Sequence, residues 1–318
     1  MWLAEMARLR FAWRPVSETL TRACAMDQGK LLIFGLGYTG TATARLALSD
    51  GWSVSGTKRQ ADSSALPGGE VLAFDDPAIA ERLFSATHLL VTAAPDEAGD
   101  PVLVRWGEAI RGAPRLRWIG YYSSTGVYGD WDGAWVDEAT PPRPAHARSQ
   151  RRLEAEQAWE ALADHHAVDI IRLAGIYGPG RSALDDVRAG RARRVIKPGH
   201  AFGRIHRDDI ARATLVAASR AGAGVRILNF VDDCPAESAA VVEEAARLLH
   251  APLPPSVLFK EAVATMSPMA RSFWDDNRRV SCVATKAELG IDWLYPSFRE
   301  GLNAILAAEG GAATEGNI

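Results

Sequence analysis

Residues 30–40 read KLLIFGLGYTG: a short apolar run, then three glycines at positions 35, 37 and 40. The stretch that follows, TATARLALSDG (41–51), has the small residues of a closely packed helix and ends on Gly51. Apolar strand, glycine turn and helix in that order form the opening of a β-α-β unit. The G-x-G-x-x-G spacing has a physical use. One glycine makes the tight turn, one lets the backbone approach a pyrophosphate, and one packs helix on strand, with the helix N-terminus facing the anion.

The alternation continues along the chain. WSVSGTKR (52–59), EVLAFDD (70–76), THLLVTAAP (87–95) and RLRWIGYYSS (115–124) read as strands, with helical stretches near 77–84 and 101–111. A charged helix at about 147–164 precedes VDIIRLAGIYG (168–178), read as one sixth strand. Apolar strands alternating with helices predict an α/β fold, a doubly wound parallel Rossmann sheet. The dinucleotide-binding domain is expected over 30–178, and a smaller substrate-binding lobe, interleaved with the sheet, over 179–306. RILNFVDD (226–233) is a candidate for a strand returned to the main sheet. Residues 1–29 read as an extension, disordered or upstream of a true start near Met26, and 307–318 as a disordered tail.

The second strand ends GTKR (56–59), with no acidic residue between Gly51 and Ala61. An NAD site commonly has an acid there for the ribose hydroxyls. Lys58 and Arg59 suit a 2′-phosphate instead, so NADP is the expected cofactor and NAD the alternative. Gly35, Leu36, Gly37, Tyr38, Thr39, Gly40 and Thr57 complete this end of the site. Asp75 is placed for the adenine amino group; it or Asp76 could equally cap the next helix. Ala93, Ala94 and Pro95 close the fourth strand at the same sheet edge.

Composition narrows the function classes. The 318 residues carry a formal net charge of -3, which gives no electrostatic reason to expect nucleic acid or an anionic membrane as partner. No apolar run approaches the length of a membrane span. Cys24, Cys234 and Cys282 are too widely spaced for a metal cluster, so no metal is expected. The compartment expected from these features is the cytoplasm.

Several further segments fall in an order that resembles a known family. They are SSTGVYGDWDGAWVDEATPPRP (123–144), RLAGIYGPGR (172–181), GRIHRDDIARA (203–213), NFVDDCPA (229–236) and RRVSCVATKAELGIDWLYPSFREGL (278–302). Together with FGLGYTG they resemble the extended short-chain dehydrogenase/reductase family, in its NAD-dependent epimerase/dehydratase group. The ending looks most like an atypical branch of poorly characterised NAD(P)-binding proteins. The resemblance implies a catalytic hydroxyl at Ser124, with Tyr128 in the family's Tyr-Gly pair on the substrate side.

The family's other catalytic element is a Tyr-x-x-x-Lys pair on the following helix. Here the equivalent positions hold Arg148 and Arg152. No tyrosine lies between Tyr128 and Tyr177, and no lysine between Lys58 and Lys197, so the pair is absent in any register. Arginine stays protonated and cannot replace the tyrosine as general base. Arg148 suits a carboxylate or phosphate. Arg152 suits the nicotinamide ribose, or a surface pair with Glu154 or Glu156.

Tyr128, Tyr177 and His206 remain as candidate proton donors. Arg181, His206 and Arg207, with Arg148 and Tyr177, are candidates to hold a small, anionic substrate. The first expectation is an NADP-preferring oxidoreductase with a non-standard proton donor. A non-catalytic NADP-binding sensor is the alternative from another class, and a nucleotide-sugar epimerase or dehydratase with tightly held NAD is the third. Family members pair through the helices after strands four and five, so a homodimer is expected through 147–164, unless Ala155, Ala158, Trp159 and Leu162 are buried within the monomer.

Overall fold

The computed structural model describes residues 29–315; the expected extension before residue 29 lies outside the described residues. The first half of the chain runs β1 (Lys30–Phe34), α1 (Tyr38–Ser49), β2 (Ser53–Lys58), β3 (Glu70–Ala73), α2 (Ala78–Ser85), β4 (His88–Val91) and α3 (Pro101–Arg111). It continues with β5 (Trp118–Ser124), β6 (Trp135–Val136), α4 (Ala147–Glu160) and β7 (Ala167–Leu173). The second half begins β8 (Gly175–Tyr177), α5 (Ala183–Arg188), β9 (Arg194–Ile196), β10 (Arg204–His206), α6 (Arg207–Ser219) and β11 (Val225–Phe230). It ends α7 (Ser238–Leu248), β12 (Ser256–Leu258), α8 (Phe259–Ala262), α9 (Pro268–Asp275), β13 (Arg279–Val280), α10 (Val283–Leu289) and α11 (Phe298–Glu315).

The main sheet has seven parallel strands in the order β3-β2-β1-β4-β5-β7-β11, a doubly wound Rossmann arrangement. Successive side chains of a strand point to opposite faces, so a strand covered on both sides must be apolar throughout. Leu31 and Ile33 of β1 face the layer of α1, α6 and α10, through Ala44, Ala217 and Leu289. Leu32 and Phe34 face α2, α3 and α4, through Ile79, Trp106 and Trp159. A third apolar cluster, with Tyr177, Leu184, Val241, Phe298 and Leu302, holds α5, α7 and α11 together beside the sheet.

Two readings of the sequence change and one open reading is decided. VDIIRLAGIYG is not one strand: β7 stays in the main sheet, while β8 leaves it to pair with β10. The division falls at Ala174, whose amide still bonds Phe230 O at 3.0 Å, and Gly175 then bonds Gly203 O at 3.1 Å. RILNFVDD does return to the sheet, as β11 pairing β7 in parallel from Val225 to Phe230. The tail expected from 307 does not begin there, because α11 continues to Glu315 from an anchor of Phe298, Leu302 and Ile305.

The apolar face of α4 is consumed inside the monomer. Ala155, Trp159 and Leu162 are buried, and the Trp159 indole donates to Asp100 Oδ2 at 3.1 Å. Among the described residues no helix is long and apolar enough to cross a membrane.

Candidate active site

The three glycines of the first turn have separate jobs. Gly35 has φ +107°, a conformation only glycine takes without strain. Its amide bonds Thr57 Oγ1 and its carbonyl accepts from Thr92 Oγ1 at 2.6 Å, so β2 and β4 hold the turn from either side. A Cβ on Gly40 would lie 2.2 Å from Gly35 O; this glycine allows helix and strand to touch. A Cβ on Gly37 would meet nothing within 4 Å. The structure itself gives no reason for glycine there, and the open space lies at the N-cap of α1, where no side chain caps the helix.

The first amides of α1 have no partner inside the helix, since Thr41 N to Gly37 O is the first bond of its ladder. Free amides beside open space fit a pyrophosphate. Ala93, Ala94 and Pro95 follow β4 at the same edge, where ligands of open α/β sheets bind.

At the end of β2, Lys58 pairs with Asp62 at 3.4 Å. Arg59 is exposed and makes no ion pair among the described residues. Asp75 is exposed and lies 3.7 Å from Arg105. Asp76 accepts from Ala78 N and so caps α2, which settles which of the two acids holds the helix.

Ser124 ends β5. Its oxygen accepts from Gly126 N at 3.1 Å, and the hydroxyl proton is left to donate. It opens onto a cavity of about 440 Å3 lined also by Arg148, Arg152, Tyr177, Phe202, Arg204, Trp274 and Arg278. Arg148 sits at the mouth, 5.7 Å from the Phe273 ring. Arg152 makes no pair with Glu154 or Glu156: one of its nitrogens bonds Tyr121 Oη at 3.0 Å and Tyr122 O at 2.8 Å, which holds it beside the Ser124 cavity. Glu156 is not a surface partner; it is fully buried, pairs with Arg172 at 2.7 Å and accepts from Ser123 Oγ.

The expected proton donors are all restrained. Tyr128 is fully buried, its hydroxyl donates to Asn229 Oδ1 at 2.9 Å, and burial raises its pKa. It therefore does not enter the cavity, and a catalytic role for it is not supported. Tyr177 lines the cavity, but its hydroxyl bonds Ser297 O at 3.3 Å, and burial with nearby carboxylates pushes its pKa far up. His206 is buried, with Nδ1 accepting from Asp208 N, and burial pushes it down to about 4.

Two of the expected substrate ligands go elsewhere. Arg207 bonds Asp208 at 2.9 Å and lies over the Tyr38 ring at 5.2 Å, while Arg181 lies 5.7 Å over the same ring. The Tyr38 hydroxyl reaches Pro179 O at 3.0 Å, so this pair of cations flanks the glycine turn rather than the Ser124 cavity. Sequence reasoning missed Arg204, Trp274 and Arg278. Arg204 stood inside the quoted GRIH segment, two residues before His206, while SFWDDNRR (272–279) carries no motif that would have marked the others.

No family model matches the chain. Protein YeeZ of Escherichia coli (strain K12) is 34% identical over 167 residues, covering 48% of this chain and 60% of that protein. A functionally unknown conserved protein from Silicibacter pomeroyi is 43% identical over 88% of this chain and 99% of its own, with TM-score 0.81. A putative NAD-dependent epimerase/dehydratase from Methylobacillus flagellatus is 28% identical over 89% of this chain and 99% of its own, TM-score 0.66. At the level of fold, dTDP-glucose 4,6-dehydratase from Bacillus anthracis, solved with NAD, superposes with TM-score 0.72 at 16% identity, over 89% of this chain and 97% of its own.

Proposed function

We propose, for a chain whose structural neighbours are NAD-dependent epimerase/dehydratase family members, that the crevice at the glycine turn binds NADP and that Ser124 acts on a small anionic substrate in the adjoining cavity. The observation that carries this reading is the open space at Gly37. The glycine serves no packing need of the chain, and it lies against free helix amides. Arg59, unpaired at the end of β2, supports a 2′-phosphate over a bare ribose. A bound nicotinamide supplies or accepts the hydride. The residues of the chain do the rest: Ser124 hydrogen-bonds the substrate oxygen, and Arg148 attracts a carboxylate or phosphate.

One observation favours a second reading, cofactor binding without turnover. The Tyr-x-x-x-Lys pair is missing, and Tyr128, Tyr177 and His206 are all held out of proton exchange near neutral pH. Crystals grown with NADPH test the shared part of both readings. The pyrophosphate is expected against the amides of Tyr38 and Thr39, with the 2′-phosphate at Arg59; a pyrophosphate bound elsewhere would refute it. Absorbance at 340 nm with a panel of carboxylated and phosphorylated carbonyl compounds separates the two, since the sensor oxidises no NADPH with any of them.

A further inference from the structure

The Ser124 cavity does not end at Tyr177. A second cavity of about 470 Å3 lies among α5, α7 and α11, and three residues, Tyr177, Arg204 and Ser238, line both. The second chamber has apolar walls at Val241, Phe298 and Leu302. Its volume is that of an ordinary small-molecule site. Its acidic side chains are already engaged, Asp185 with Ser182 and Asp186 with Arg191.

Arg204 stands in the wall between the chambers. One of its guanidinium nitrogens donates to Phe202 O at 2.9 Å and Ala236 O at 3.0 Å, and it forms no ion pair among the described residues. A half-buried cation whose hydrogen bonds go only to carbonyls is under-compensated. Accordingly, burial lowers its pKa, opposed by Asp232 and Tyr177.

Asp232 would be the natural counter-charge. It is 1% exposed and neither carboxylate oxygen has a hydrogen-bond partner. Burial pushes it up to about 8 in spite of Arg204, so near neutral pH it is mostly uncharged. The guanidinium makes no ion pair with Asp232 and lines both cavities.

We propose that Arg204 is the anion anchor of a two-chamber site, selecting a ligand that carries a carboxylate or phosphate and an apolar group reaching the second chamber. This rests on the reading of the Ser124 cavity as the substrate site, and it names the substrate class. A guanidinium suits the task because its planar fork matches a carboxylate or phosphate in two parallel hydrogen bonds. Val241, Phe298 and Leu302 then give an apolar tail a wall to pack against, beside Arg181 and Arg191 on the charged side of the same chamber.

Calorimetric titration of the full chain, with and without NADPH, tests the proposal with three probes: isovalerate, its uncharged amide isovaleramide, and inorganic phosphate. Isovalerate is expected to bind at least about tenfold more tightly than the amide, the scale of one charge-assisted bond. Arg204→Met is expected to weaken both anions by at least about tenfold, with Arg204→Lys between it and the native chain. Leu302→Trp, which fills the second chamber alone, is expected to weaken isovalerate by a similar factor and to spare phosphate.

Circular dichroism checks that each variant folds. If Arg204→Met does not, Arg204→Lys carries the test, since a point charge cannot reproduce the fork. Native protein that binds neither anion, or a folded Arg204 variant that binds both undiminished, overturns the anchor. Isovalerate binding unaffected by Leu302→Trp overturns the second chamber. Anion binding that survives where NADPH fails to bind sinks the cofactor reading and leaves Arg204 standing.

Discussion

Gly37→Val separates cofactor recognition from folding more cleanly than any other change in the protein. The new side chain starts in space with nothing within 4 Å, at a backbone of φ -85° and ψ -159° that any residue adopts. The only internal cost is a poorer N-cap on α1, of about 1 kcal/mol or less. In a chain of this size that lowers Tm by about 2–4 °C. A bound pyrophosphate occupies that same space. Overpacking of this kind costs about 1–3 kcal/mol, and each amide-to-phosphate hydrogen bond forced apart costs about 1.5–3 kcal/mol more. Together these weaken NADPH by about a hundredfold or more. Nicotinamide fluorescence reads the affinity and differential scanning calorimetry the fold. A variant with near-native Tm that binds NADPH within about threefold of the native chain would refute the reasoning. Gly40→Ala should behave in the opposite way, losing stability first, because its Cβ would meet Gly35 O at 2.2 Å.

Arg59→Ala is expected to weaken NADPH by about 10- to 150-fold, the worth of a hydrogen bond to a charged group, and to leave NADH nearly unchanged; equal weakening of both in parallel titrations contradicts the 2′-phosphate assignment. Ser124→Ala should lower any turnover found by about a hundredfold or more, yet cost only about 1 kcal/mol of stability through its lost bond to Gly126 N; an unchanged rate would reduce Ser124 to a turn residue. Glu156→Gln leaves Arg172 buried and uncompensated, so thermal unfolding should show a loss of about 3–5 kcal/mol; a Tm shift of only a degree or two would contradict it. Stability should also fall on either side of neutral pH. His88, His200 and His206 are each pushed from 6.5 to about 4 by burial, so between those values the unfolded chain binds protons that the folded chain refuses, and each histidine removes about 1.4 kcal/mol per pH unit as pH drops. Asp232, raised from 3.8 to about 8, works in the other direction across that whole interval, offsetting one histidine below pH 6.5 and alone removing stability as pH rises above it. A Tm that climbs steadily from pH 5 to 8 would show the sign to be wrong.

The sheet was legible in the sequence because its physics is local. A strand segment buried on both faces, such as Leu31–Phe34 or Leu89–Val91, has to be apolar without a break, and the glycine turn follows the first of these immediately. The missing Tyr-x-x-x-Lys pair could be read with certainty from residue types alone. What could not be read depends on distant partners. Tyr128 is sealed by Asn229, 101 positions away, and Arg152 is held by Tyr121 and Tyr122 of β5 instead of pairing with an acid of its own helix. Glu156 looked like one more charge on a charged helix until Arg172 of β7 was seen beneath it. Arg204 carried no signal of its own, because its importance comes from lying where two cavities meet.

The most direct test of the central claim is a pair of equilibrium titrations of the full chain, one with NADPH and one with NADH, followed by nicotinamide fluorescence. Tight NADPH binding with NADH weaker by about tenfold or more is the predicted result. Binding of neither nucleotide, by a chain whose Tm and circular dichroism show it folded, would contradict the claim and leave the glycine turn a feature of the fold alone.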